Sequence, residues 1–202
     1  MTKGGKFLSP RVLIAAVIAL AVVACTAERP AETPPSKAIR IAPGLALALP
    51  KPSELGRSLE ASQLVTAHYG GQTFAFEGHV SATPERVLLV GLDTMGRRAV
   101  TVEWTEQGFR AERAPWLPEQ LRPENMLADM VILYWPEAIL RRALGPSGGG
   151  LAAGARFRSI SADGKEVIRA DYSAADPWNG KLTFSNFAWD YELDVQSVET
   201  HR

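Results

Sequence analysis

One cysteine stands in 202 residues, at position 25. An internal disulfide is thereby excluded, so stability has to come from packing. Histidine is nearly as scarce. His68, His79 and His201 are the only three, and no cysteine or close carboxylate completes a metal set with them. Neither sign of charge is in excess, with 22 basic against 22 acidic residues. A nucleic-acid partner, which needs a basic stripe, is not expected. A long apolar run occurs once, from Val12 to Val23. It is too short to span a hydrocarbon core of roughly 30 Å. No later run is long enough to cross a membrane.

The chain does have an export signature at its start. Lys3, Lys6 and Arg11 precede the apolar run, with no acidic residue among them. Val22-Val23-Ala24-Cys25 then has the form of a lipobox. Residues 1–24 are expected to be a lipoprotein signal peptide, with Cys25 the lipidation site. A thiol accepts a diacylglyceryl group, and cleavage frees the amine for a third chain. Each buried methylene contributes about 0.8 kcal/mol, so two or three chains anchor firmly. The plain alternative is ordinary signal cleavage beside an incidental cysteine. Thr26, not aspartate, follows. By the pattern of Gram-negative lipoproteins this implies sorting to the outer membrane, on its periplasmic face. Without the three basic residues of the signal, the chain carries 19 basic and 22 acidic residues, a net of −3.

Residues 25–54 contain Pro30, Pro34, Pro35, Pro43, Pro50 and Pro52 and read as the lipidated terminus and a tether. Its later part, Ile39 to Leu49, is apolar enough to lie against the domain. Residues 55–202 read as one domain. Gln63 to Tyr69 and Gln72 to Val80 flank Gly70-Gly71, a hairpin signal. Further strands are expected over Glu85 to Leu92, Arg97 to Trp104 and Phe109 to Ala114. Met126, Leu127, Met130, Val131 and Tyr134 recur at helical spacing, and a second helix is expected over Glu137 to Leu144. Pro146 to Gly154 reads as a glycine-rich loop. Strands resume over Arg156 to Ser161, Glu166 to Ser173, Lys181 to Phe187 and Trp189 to Val198. The expected class is mainly β with α: a strongly curved antiparallel sheet, a half-barrel, with a central helical pair as plug or lid. Such a shape leaves an apolar interior with an open mouth.

No catalytic residue is assigned. Gly145-Pro146-Ser147-Gly148-Gly149 fits G-x-S-x-G, but a nucleophile elbow needs a strand before it and a helix after it. An esterase using Ser147, with Asp176 and His201, is therefore the weakest reading. Asp93, Glu103, Asp163 and Asp171 are scattered and form no acid–base pair at a set spacing. The five tryptophans are Trp104, Trp116, Trp135, Trp178 and Trp189. They suit either a core or a lipid cavity. Trp104, Met130, Leu133, Trp135 and Trp178 are the candidate cavity lining. Trp135 also suits the core, and Trp178, in a turn, suits the mouth.

Several stretches carry a family resemblance. They are Leu55-Gly56-Arg57-Ser58-Leu59, Tyr69-Gly70-Gly71-Gln72, Val90-Gly91-Leu92, Leu127-Ala128-Asp129, Leu133-Tyr134-Trp135-Pro136 and Asp176-Pro177-Trp178-Asn179-Gly180. The chain resembles predicted outer-membrane lipoproteins of unknown function whose fold is similar to the lipoprotein carrier LolA and receptor LolB. None of these stretches is a catalytic signature. Some relatives are encoded beside genes for aryl-polyene or similar lipid synthesis, which implies envelope-lipid handling. The LolB type inserts cargo with an apolar residue and a glycine at a protruding loop. Met95-Gly96 matches that pattern, and Arg97-Arg98 follow. The resemblance implies a membrane- or cargo-contacting loop there, whose arginines meet anionic headgroups. The leading expectation is a non-enzymatic binder or transferer of lipid or acyl-chain cargo, with no cofactor and with a periplasmic carrier protein as a possible partner. The second is an anchored adaptor that docks a partner protein and holds no lipid.

Overall fold

The computed structural model describes residues 38–119 and 121–200. Cys25, the signal segment and His201 lie outside the described residues.

Ten strands form one antiparallel sheet. The first meander is β3 (Leu59–Tyr69), β4 (Gln72–Ala82), β5 (Arg86–Asp93), β6 (Arg98–Thr105) and β7 (Gly108–Arg113). The second is β8 (Gly150–Gly154), β9 (Phe157–Ala162), β10 (Lys165–Tyr172), β11 (Gly180–Asn186) and β12 (Tyr191–Thr200). Their spatial order is β7-β6-β5-β4-β3-β12-β11-β10-β9-β8. The first and last strands of the sheet therefore meet at its centre, and β7 and β8 are its two open edges. Two helices, α1 (Pro123–Tyr134) and α2 (Glu137–Leu144), connect one edge to the other. The sheet is not closed, and the helices pack within its curve.

Local chemistry explains the elements. Gly70 and Gly71 take φ of 56° and 75°, the left-handed pair that a two-residue hairpin turn needs. Pro123 opens α1, where its missing N–H costs nothing, and Pro136 forces Trp135 out of helical geometry at ψ 152°. From Leu127 to Tyr134 every residue of α1 is buried. A helix apolar all round belongs inside the fold. Its last carbonyls are taken by side chains from the sheet. Arg158 Nη1 donates to the Ile132 carbonyl at 2.6 Å, and the Tyr172 hydroxyl donates to that of Leu133 at 2.9 Å. Helix α2 is amphipathic, burying Leu140, Ala143 and Leu144.

Two elements differ from the sequence expectation. The later part of the expected tether does lie against the domain, but as a hairpin of β1 (Ala38–Ala42) and β2 (Leu45–Ala48). Ile39, Ile41, Leu45 and Leu47 on it are buried in the core. Pro43-Gly44, read as a break in regular structure, is its turn. Asn186 Nδ2 fastens it to the sheet through the Ile41 carbonyl at 3.0 Å. The expected glycine-rich loop ends in β8, an edge strand whose glycines and alanines have weak strand preference and rely on pairing with β9.

Candidate functional site

Cross-strand partners share a face, so register assigns the inner wall of the sheet. One row runs Ser197, Gln63, Gly78, Gly91, Val100, Arg113 across β12 to β7. Its middle is two glycines. Neither adds a side chain to the concave face, although Val100 Cγ1 leans over Gly91, and a hollow opens between the sheet, β1 and α1. The cavity measures about 1170 Å³. Val65, Ala67, Phe76, Leu89, Met126 and Leu193 supply much of its apolar wall. Tyr69, Trp189 and Tyr191 stand at its mouth, with Leu117, Leu121 and Arg122 opposite. From Tyr69 down to Gln63 is six strand residues, a depth of about 20 Å.

Two buried polar sets on this wall are bonded internally. Gln63 Nε2 donates to the Tyr134 hydroxyl at 2.8 Å and to Ser197 Oγ at 2.9 Å. Burial raises the Tyr134 phenol well above its ordinary range, so it stays neutral. Tyr134 also stacks on Trp178 at 3.9 Å. Nearer the mouth, the Tyr191 hydroxyl donates to both Asp129 carboxylate oxygens at 2.8 Å. Burial pushes the Asp129 carboxyl up to about 7, against a lowering by the Tyr191 hydrogen bond. Burial, then the Asp129 charge, drives the Tyr191 phenol up as well.

Asp129 makes stability depend on pH. The unfolded carboxyl ionises near its ordinary 3.8, whereas the folded one holds its proton to about 7. The unfolded state sheds its proton first, so stability falls as pH rises through that window and levels off above it. Asp129→Asn stays neutral and still accepts from Tyr191. It should match the parent at pH 4 and exceed it at pH 8 by about 2–4 kcal/mol. Urea unfolding at the two pH values checks this. An undiminished pH slope in the variant would exclude Asp129 as its source.

The structure divides the residues singled out in the sequence. Met130 and Leu133 line the cavity. Trp104, Trp135 and Trp178 do not. Trp104 and Trp135 pack ring to ring at 5.1 Å in the core beyond it. Trp178 is buried to 2% exposure behind Tyr134, not at the mouth. Its turn is closed by Asp176 Oδ1, which accepts from the Trp178 N–H at 3.1 Å. The tryptophan on the wall is Trp189. Ser147 Oγ donates to the carbonyls of Ala46 at 2.6 Å and Leu144 at 3.1 Å, tying β2 to the helices. His68 and His79 lie on adjacent strands but oppose Thr73 and Ser62, not each other. Among the described residues, no three His, Cys, Asp or Glu side chains are placed to hold a metal.

The Met95 loop sits at the mouth end of the sheet. Gly96 takes φ 75°, as its turn requires, and Met95 is 74% exposed at the tip. Arg97 is not free. Its Nε donates to Asp93 Oδ2 at 2.7 Å, and its guanidinium lies over the Trp116 ring at 4.8 Å. Arg98 is exposed at the start of β6. Tyr69, Met95, Trp116 and Phe187 all project at this end, on turns that antiparallel register brings together. The two other exposed large apolar residues, Leu64 and Val198, lie on the outer face of the sheet. Four of the six large apolar residues exposed among the described residues thus lie at this end of the sheet.

Residues 60–199 match the model of a family described as a protein of unknown function, DUF3261. The chain belongs to that family. The match runs from β3 to β12, so the DUF3261 unit is the ten-stranded sheet with its helices, and the β1–β2 hairpin precedes it. No curated protein matches the chain.

Sequence reasoning missed Gln63, Gly78, Arg113, Asp129 and Tyr191 as cavity residues. One signal was available. Asp129 is a charged residue within the otherwise apolar run from Met126 to Tyr134, and a carboxyl there has to find a partner inside the fold.

Proposed function

We propose that this DUF3261 domain binds a hydrophobic cargo, an envelope lipid or the acyl chains of a lipidated protein, and passes it on at the outer membrane. The carrying observation is the cavity of about 1170 Å³, with a largely apolar wall that includes Tyr69, at the end of the sheet where Met95, Trp116 and Phe187 are also exposed. Binding is driven by apolar area removed from water, worth roughly 25 cal/mol per Å² before the costs of association. The domain acts without covalent chemistry, in the manner of LolA- and LolB-type carriers. Acyl chains on Cys25 hold it to the periplasmic face, and the Met95 end delivers cargo to the bilayer or takes it from a periplasmic carrier. Tyr69, Trp116 and Phe187 suit that boundary, because aromatic rings favour the headgroup level.

Native mass spectrometry of the full chain, purified from membranes in mild detergent, tests the proposal. The expected result is a bound lipid that exchanges with added lipid, and an acylated Cys25 in the digested sample. A chain with no bound and no exchangeable lipid would overturn the carrier reading in favour of an adaptor docking a protein on its apolar end.

A further inference from the structure

Arg113 ends β7 and pairs with Val100, so its side chain leaves the sheet on the cavity face. It is partly buried. Nη2 donates to the Leu117 carbonyl at 2.5 Å. Nε is buried and, among the described residues, has no hydrogen-bond partner. No carboxylate pairs with this guanidinium among the described residues. Arg97, on the same side of the molecule, is answered by Asp93, whereas among the described residues Arg113 meets a neutral carbonyl. Removing a cation from water without a counter-charge is costly, and such a group calls for an explanation.

The other titratable groups on the wall are Arg40, His68, Glu119, Arg122, Glu124 and Asp129. Glu119 precedes α1 and is exposed, and Glu124 sits in its first turn and is half-buried. Asp129 is the buried carboxyl, and below about pH 7 it holds its proton and does not oppose an anion. Arg113 lies in the same cross-strand row as Val100, Gly91 and Gly78, and the two glycines add no side chain to the wall. A cation lacking its anion therefore borders an apolar trough.

We propose that the cavity receives an amphiphile with an acidic head, a carboxylate or a phosphate, and that Arg113 takes the head while the chain lies along the glycine trough. This rests on the carrier reading and narrows its cargo. A guanidinium binds either head through paired N–H donors, and such charge-assisted bonds are about twice as strong as neutral ones.

Palmitate, hexadecyl phosphate and hexadecanol share one chain and differ at the head. Native mass spectrometry of the full chain in mild detergent, with each probe added at equal concentration, reads their retention. At least one acidic probe should bind about 10-fold or more tightly than hexadecanol, a difference of about 1.4 kcal/mol. Whichever acid is preferred names the head. Arg113→Gln should erase the preference while leaving hexadecanol bound as before, which also shows that the cavity is intact. Arg113→Lys should keep part of it. Equal retention of all three by the parent chain would overturn the acidic-head proposal and leave the carrier reading standing. Retention of none would overturn both.

Discussion

Placing tryptophan at both Ala67 and Gly78 should weaken binding of a sixteen-carbon ligand by about 100-fold, or about 2.7 kcal/mol. Both positions face the cavity, on the adjacent strands β3 and β4. Neither has a side chain that reaches far into it. A Cβ added to Gly78 would meet nothing nearer than Gln63 Cβ at 3.6 Å, which is ordinary contact. An indole there can point into the hollow without displacing the backbone. Two indoles together cover roughly 300–500 Å² of apolar surface, so they occupy the space a chain would use. Stability should hold or rise, because filling an empty apolar space is a common stabilising change. Each single variant should show a smaller loss, near 10-fold. Titration with a fluorescent fatty acid, beside a thermal melt, checks both parts. Wild-type affinity in the folded double variant would mean that cargo binds elsewhere. Gly91 is the wrong place for this test. A Cβ there would lie 2.8 Å from Val100 Cγ1, so the wall would have to move.

Trp135→Ala should cost about 3–5 kcal/mol of stability, the range for a large aromatic lost from a packed interior. Trp135 is fully buried and packs on Trp104 at 5.1 Å. It stands at the joint between α1 and α2, where Pro136 stops the first helix. Its removal leaves a void under both helices. A domain of this size has only about 5–15 kcal/mol in hand, so a large part of it would go. Trp116→Ala is the contrast. That ring is 44% exposed beside Arg97, and its loss should stay within about 0.5 kcal/mol. Urea unfolding of the two variants measures both. A cost below about 1 kcal/mol for Trp135→Ala would mean that the helices repack around the gap.

Much of the fold could be read from alternation and turns. The Gly70-Gly71 hairpin, the β5–β6 pair and both helices fall within a few residues of their expected places. These elements depend on neighbours in the chain. The β1–β2 hairpin was harder, although Ile39, Ile41, Leu45 and Leu47 do alternate. The surrounding prolines outweighed that signal, and what holds the hairpin is burial against helices far along the chain. Tryptophans were the least legible. An indole suits a core and a cavity wall alike, and only register and packing separate Trp189 on the wall from Trp135 behind it.

By itself, the sequence determined the strand–helix–strand order, and it set the expectation of an export signature ending at Cys25. Each of these depends on residue type and short separation. The tertiary structure decided that the sheet encloses a hollow and does not close on a filled core. That outcome needs Gly78 and Gly91, from different strands, to land side by side opposite α1. It also decided that Arg113 and Asp129 share one wall without pairing, and that four exposed apolar residues gather at one end of the sheet. Cross-strand register sets these proximities between residues far apart in the chain, and no local pattern encodes it.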